Sequence, residues 1–328
     1  MYNYEDIRSV HLEVTSKCQA ACPMCARNVQ GLINNPFLKL NEVTLKLFKK
    51  WFPVEFISQL ERIYMCGNFG DPIIAKDTLE IFEYARSINP GMHLSMNTNG
   101  SARPSFWWRQ LARQNVTVRF GIDGLEDTHS LYRINTDWNK IIENARAFID
   151  SGGYAIWDML VFKHNVHQID RCRNMAGDIG FKEFHSKNTS RFRNDILEVL
   201  DKSGKTMYTL EPTERSVEQK EKIKEVKNSE DTVTISCKVQ KEKSIYVAAN
   251  GNILPCCWLD HEYIVPSSTS RIDFLNHFGS YPNLHGFSIQ TIFDSGFFKD
   301  IENTWKDQPL KECRKQCGTY DRFQEQFK

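Results

Sequence analysis

The chain has 328 residues, enough for one large domain or for a domain of about 200 residues with a smaller companion. Lys and Arg total 42 against 41 Asp and Glu, a net charge of +1. That balance lacks the basic excess of general nucleic-acid or anionic-membrane binding, and 41% hydrophobic with 25% charged residues is neither a disordered nor a collagen-like composition. The longest apolar stretch, Ala155 to Phe162, is broken by Asp158 and falls far short of the roughly 20 residues that span a bilayer. Met1 to Val10 is polar and has no apolar signal segment, so a cytoplasmic, reducing location is expected, where disulfides are disfavoured. Ten cysteines, at 18, 22, 25, 66, 172, 237, 256, 257, 313 and 317, then point to metal binding or catalysis.

In chain order, β-rich runs predict strands at Ser9–Val14, Arg62–Cys66, His93–Met96, Thr117–Ile122, Tyr154–Phe162 and Lys182–Ser186. Helical patterns lie between them. Six β/α repeats imply an α/β protein with a parallel sheet, either curved into a barrel or open and doubly wound. Trp138, Ile141, Ile142, Ala145, Phe148 and Ile149 form one apolar helical stripe. Ile169, Cys172, Ala176 and Ile179 repeat it, which makes Cys172 a small core residue. From 194 to 235 the composition shifts: 15 of the 31 residues from Asp201 to Asp231 are charged, and an exposed helical or flexible connector is expected. After it, Ser244–Ala249 and Asn252–Leu254 predict a β-hairpin around Asn250–Gly251, a pair suited to a type I′ turn. The expected division is 1–193, 194–235 and 236–328.

Cys18-Gln-Ala-Ala-Cys22-Pro-Met-Cys25 sets three thiols within eight residues on the loop after the first strand. A structural zinc takes four ligands, and the next Cys or His is Cys66, at another strand end. Three thiolates can instead hold three irons of a [4Fe–4S] cluster and leave the fourth iron open to a ligand. The loops after the following strands carry further signals: Gly67-Asn68-Phe69-Gly70-Asp71-Pro72, then Asn97-Thr98-Asn99-Gly100, then Gly121-Ile122-Asp123-Gly124 with His129 and Arg133. Ligand-binding loops of β/α barrels collect at such strand ends.

Together these segments resemble the radical S-adenosylmethionine (radical SAM) superfamily over roughly residues 9–190. The resemblance implies a partial (β/α)6 TIM-like barrel whose open iron chelates the amino and carboxylate groups of SAM. Reductive cleavage of SAM would then yield a 5′-deoxyadenosyl radical that takes a hydrogen atom from substrate. An external electron donor of flavodoxin or ferredoxin type is implied as well. Cys18, Cys22 and Cys25 match the cluster ligands. The Gly70 and Asp71 segment is similar to the family's Gly-Gly-Glu-Pro run, which meets the SAM amino group through its backbone, so Asp in place of Glu is tolerable. Asn97 and Asn99 flank a turn like the family's Thr-Asn-Gly. Asp123-Gly124, His129 and Arg133 resemble an Asp-Gly-x4-His-x3-Arg pattern in which the arginine approaches the SAM carboxylate, a geometry that guanidinium suits. An ordinary salt bridge at an exposed helix start is the alternative for Arg133. Two positions depart from the family: Met24 replaces the usual aromatic, and Gly121 stands where relatives often have Ser.

Cys237-x13-Gly251-x4-Cys256, with Cys257 adjacent and Cys313-x3-Cys317 later, resembles a shortened SPASM extension of the twitch type, a β-hairpin plus helix with one auxiliary [4Fe–4S] cluster. The resemblance implies Cys237, Cys256, Cys313 and Cys317 as ligands, with Cys257 the rival to Cys256. A four-thiolate zinc site is the other reading. Cys66 is either a buried strand cysteine or, as in radical epimerases, a hydrogen-atom donor. His164, His167, His185, Lys187 and Arg191 follow the fifth and sixth strands, where substrate contacts are expected. Three functions follow: oxidation or epimerisation of a small polar molecule, side-chain modification of a peptide or protein, and a non-enzymatic zinc module. The zinc module leaves the loops after strands two to four unexplained, and nucleic-acid modification gains nothing from the charge balance.

Overall fold

The computed structural model describes residues 1–189, 191–192, 196–217 and 233–318. Six parallel strands build the frame: β1 (Ser9–Leu12), β2 (Arg62–Met65), β3 (His93–Thr98), β4 (Val116–Gly121), β5 (Tyr154–Val161) and β6 (Glu183–Asn188). A hairpin, β7 (Leu197–Leu200) with β8 (Thr206–Leu210), follows, and then β9 (Ser244–Val247) and β10 (Ile253–Leu254). The main sheet has eight strands in the order β10, β9, β1, β2, β3, β4, β5, β6, parallel except for β10. Its helix-covered, mostly parallel form is that of a partial TIM-like α/β fold.

The register explains the core. Leu12, Met65, Met96 and Val118 align across four strands, as do Val10, Ile63, Leu94 and Val116 one pleat away. All are buried against the helices. Residues between them point to the other face, where His11, Tyr64, Ser95 and Thr117 form a polar row. The helix Trp138–Asp150 buries Ile141, Ile142, Ala145 and Phe148 on that core side, and Cys172 of Ile169–Ile179 is fully buried. An aromatic cluster fills the space between: Phe120 lies 5.2 Å from Trp108, 5.8 Å from Phe181 and 6.2 Å from Phe148, centroid to centroid.

Three features differ from expectation. The start of the segment read as a charged connector is the ordered β7–β8 hairpin, whose other part, 218–232, lies outside the described residues. Leu200 exchanges backbone hydrogen bonds with Gln30 and Leu32, while Val199 and Leu210 are buried with Ala20 and Cys22. High charge density hid this because the charges cluster in the turn and beyond while Val199 and Leu210 face inward. Second, the extension is more than a β-hairpin plus helix: β9 pairs in parallel with β1, and helices lie at Lys238–Lys241, Thr269–Phe278, Ile289–Asp294, Phe297–Asp307 and Lys311–Cys317. Third, its turn is not type I′. Ala248 donates to Asn252 around a three-residue loop in which Gly251 alone takes positive φ, at 89°, the pattern of a turn followed by a glycine bulge. Among the described residues no helix is long and apolar enough to cross a membrane.

Phe120→Ala is expected to cost about 3–5 kcal/mol, because the rigid aromatic surroundings cannot collapse onto the void. Phe106→Ala, at an exposed site, is expected to stay within about 0.5 kcal/mol. Urea denaturation midpoints check the pair.

Candidate functional site

The loop from Cys18 to Cys25 leaves β1 and folds back across the ends of β2, β3 and β4. Ser16 anchors its start, donating from Oγ to the Lys39 carbonyl at 2.8 Å, and a turn joins Cys25 N to Cys22 O at 3.0 Å. Each thiol meets a different strand-end loop. Asn99 Nδ2 is 3.7 Å from Cys18 Sγ, Arg133 Nη1 is 3.9 Å from Cys22 Sγ, and Cys25 Sγ is 4.0 Å from the Asn68 carbonyl oxygen. Burial pushes Cys22 up to about 11 and Cys18 higher still, with the neighbouring thiols adding to the shift. Thiols this hard to ionise become good ligands when a metal displaces the proton. Among the described residues no three His, Cys, Asp or Glu side chains close on a single ion. A wider donor set is what a polynuclear cluster uses, since each thiolate binds its own iron.

The loop after β2 lies against this one through glycine. A Cβ on Gly70 would stand 1.8 Å from the Thr15 carbonyl oxygen, so no larger residue fits without moving backbone. Asp71 does not offer its carboxylate to a ligand. Its Oδ1 accepts from Thr98 Oγ1 at 2.8 Å and Ile73 N at 3.2 Å, and its Oδ2 accepts from Asn99 N at 2.7 Å and Asn99 Nδ2 at 2.6 Å. Asn97 has a buried Oδ1 with no hydrogen-bond partner among the described residues.

After β4, fully buried Asp123 pairs with the partly buried Arg133, Nε to Oδ2 at 2.6 Å, not the exposed bridge that was the alternative reading. Asp123 Oδ1 also accepts from Leu160 N at 2.6 Å. Gly121 has a structural reason here: a Cβ would come 2.6 Å from Arg133 Nη2, so glycine makes room for the guanidinium. His129 accepts from Asp123 N at 3.0 Å through Nδ1 and is held near 3 by burial and Arg133, a neutral positioning ring. Met24 Sδ lies 4.0 Å from Thr189 Oγ1, packed against an apolar cluster that includes Tyr132, Phe162 and Phe192.

In the extension, Cys237, Cys256, Cys313 and Cys317 line one cavity together with Met1, Trp258 and Trp305. Burial, then Cys257, Cys313 and Cys237, push Cys256 well up. The neighbouring Cys237 and Cys317 thiols, both free, shift each other in opposite directions, Cys237 down and Cys317 up. Cys257 does not line that cavity. It is raised to about 12 by burial, then by Cys66, Glu13 and Asp260. Cys66 follows β2, its carbonyl 2.5 Å from His11 Nε2, and its buried thiol is pushed up by burial against the opposing influence of Tyr64.

The residues expected to meet substrate divide. His164 stacks on Phe162 at 5.2 Å and is lowered to about 4 by burial, while His167 is exposed. His185 joins an ionic group: Arg119 Nη1 lies 3.0 Å from Asp158 Oδ1, His185 Nδ1 3.2 Å from the same atom and Lys187 Nζ 3.5 Å. Arg119 and Asp158 escaped the sequence reading, although their alternation within β4 and β5 opposite buried neighbours was a usable signal.

A family model described as the radical SAM superfamily matches residues 12–176, half of the chain. The chain belongs to the radical SAM superfamily. Membership implies SAM and a [4Fe–4S] cluster. Among solved structures, SuiB of Streptococcus suis bound to S-adenosylmethionine matches with a TM-score of 0.54 and 12% identity, over 93% of this chain and 66% of SuiB. The radical SAM chain thus spans just under two thirds of that protein's length. The anSMEcpe enzyme with bound AdoMet matches with a TM-score of 0.57 and 14% identity, over 89% of this chain and 83% of that one. At these identities the likeness is one of fold.

Replacing Arg133 by Met leaves Asp123 buried and unpaired, and a loss of about 3–5 kcal/mol is expected. The Arg133→Met, Asp123→Asn double variant is expected to lose less than the two single losses combined, as denaturant titration of all four proteins will show.

Proposed function

We propose that this enzyme holds a [4Fe–4S] cluster on Cys18, Cys22 and Cys25 and abstracts a hydrogen atom from a substrate bound on the polar face of the sheet. The fan of three thiols toward three strand-end loops is the observation that carries this reading. When bound, the cluster and SAM supply the difficult step, reductive cleavage of SAM to a 5′-deoxyadenosyl radical. The chain's own residues bind and orient. The Phe69–Gly70 backbone receives the SAM amino group, Asn97 and Asn99 and the Gly121–Asp123 segment border the remainder, and Arg133 approaches the carboxylate through the nitrogens that Asp123 leaves free. Met24 and its apolar neighbours exclude water from the loop.

Cys237, Cys256, Cys313 and Cys317 hold one auxiliary [4Fe–4S] cluster in a twitch-like extension, and the shared cavity supports that set over one with Cys257. The substrate is a small polar molecule undergoing oxidation or epimerisation. In oxidation, the four cysteines would hold a group able to take up the substrate radical's remaining electron, while a base takes its proton. In epimerisation, Cys66 returns a hydrogen atom. The first electron comes from a flavodoxin- or ferredoxin-like donor in the cytoplasm. Peptide or protein side-chain modification is the second reading, favoured by the named ligands of two fold neighbours: precursor peptide SuiA on SuiB and the Cp18Cys peptide on anSMEcpe.

Anaerobic reconstitution is expected to load about eight irons per chain, four for each cubane. Cys256→Ser should lose about half of them and still form 5′-deoxyadenosine from SAM and a strong reductant, whereas Cys257→Ser should keep all. A wild-type chain with about four irons plus zinc would overturn the auxiliary cluster. Loss of iron in Cys257→Ser but not in Cys256→Ser would reverse the ligand choice.

A further inference from the structure

Where the core sheet meets the extension, three side chains from distant parts of the chain converge away from water. Tyr246 on β9 is fully buried, Glu13 is 2% exposed and Asp260 4%. The Tyr246 hydroxyl lies 2.6 Å from Glu13 Oε2 and 3.2 Å from Asp260 Oδ2. Glu13 Oε1 in turn accepts from Phe69 N at 2.8 Å and Gly70 N at 3.1 Å. Asn68 closes the group, its Nδ2 lying 3.0 Å from the Cys257 carbonyl oxygen and 3.4 Å from the Tyr246 hydroxyl.

Hydrogen-bond arithmetic limits where the protons can lie. A phenol has one proton to donate and can serve only one of two carboxylates. Two ionised carboxylates around one buried oxygen would also repel, so one of them keeps its proton. Glu13 already has three donors: two backbone amides and the phenol. Asp260 has only the Glu262 amide at 3.5 Å and faces the tyrosine oxygen. With the proton placed on Asp260, the chain of donors runs one way: Asp260 O–H to Tyr246, Tyr246 O–H to Glu13, and the Phe69 and Gly70 amides to the other oxygen of Glu13.

We infer that Glu13, Tyr246 and Asp260 are positioning residues that set the Phe69–Gly70 turn for SAM, so that the C-terminal extension, through Tyr246 and Asp260, helps to determine SAM affinity. This rests on the proposed role of that turn in receiving the SAM amino group. Two of the three residues lie in the extension, and Asp260 follows Cys256 by four positions. Any change in the auxiliary loop is thereby transmitted to the SAM loop through three hydrogen-bonded side chains.

The test uses the full-length, cluster-loaded enzyme, with SAM affinity read by calorimetry and by the SAM-induced change in the EPR spectrum of the reduced cluster. Tyr246→Phe removes a single oxygen atom, and Asp260→Ala removes the donor. Each is expected to weaken SAM binding about tenfold, the effect of one lost hydrogen bond to a charged network. Asp260→Asn can still donate to the tyrosine oxygen, and its SAM affinity is expected within about twofold of wild type. In Tyr246→Phe the KM for SAM should rise while the rate of 5′-deoxyadenosine formation at saturating SAM stays within about twofold, the mark of a group that positions a binding loop. If Tyr246→Phe retains full iron content and binds SAM as wild type does, the inference fails. If Asp260→Asn is as weak as Asp260→Ala, the proton assignment, and with it the directed chain, fails. A wild-type enzyme that is iron-replete and binds no SAM would instead overturn the proposed function.

Discussion

The carboxylate of Asp71 ties three loops into one surface. It accepts from Thr98, from both nitrogens of Asn99 and from Ile73, while the Asp71 amide donates to the Lys17 carbonyl. The loops after β1, β2 and β3 are thus held together by a single buried residue. Burial alone would drive this acid toward its neutral form, and the Asn99, Thr98 and Ile73 donors oppose that. Because four donors surround the two oxygens, the group acts as a fixed acceptor at the centre of the loop cluster. The backbone approach of Gly70 to Thr15 depends on it, and so does the side chain of Asn99 beside Cys18.

Around that centre the thiols have been given polar company. Arg133 faces Cys22 and Asn99 faces Cys18, each in a position to donate to sulfur. Such donors favour a thiolate over a thiol and orient it for a metal. Arg133 can do this only because Asp123 fixes its Nε, and Asp123 is fixed in turn by the Leu160 amide. The order of support runs from the strand β5 to the carboxylate, then to the guanidinium, then to sulfur. A guanidinium suits this position because its separate nitrogens can serve two partners at once, which a lysine ammonium in the same place could not do with the same geometry.

The six core strands were legible because apolar residues alternate with polar ones over a short period, and the strand-end motifs because they are local in sequence. What escaped the sequence was non-local. Glu13 and Tyr246 bond across 233 positions, and nothing near either residue announces the other. Charge counting obscured the β7–β8 hairpin, where inward Val199 and Leu210 decide the structure despite the polar residues around them. Cys256 and Cys257 could not be separated by spacing because they are adjacent. The backbone separates them: Cys256 is extended, with φ −147° and ψ 161°, and successive side chains on extended chain point to opposite sides. One thiol therefore turns to the cavity of the extension and the other toward Cys66 and Glu13.

The pairing of β9 with β1 holds the two cysteine sets on one sheet. Cys18 follows β1 by six residues, and Cys256 follows β10 by two, with β10 hydrogen-bonded to β9. In the proposed oxidation, the substrate's second electron must reach an auxiliary cluster from a radical formed beside the first. Their spacing is set by neighbouring strands of one sheet, so it does not vary with the charged segment between residues 201 and 231. If the extension were instead tethered only by that segment, each turnover would need a docking step. Removing the extension would also leave β1 as an open parallel edge with its backbone donors unpaired. The sheet thus makes the extension part of the core's stability, and Tyr246, carried on β9, ties it to the Phe69–Gly70 turn through Glu13 as well.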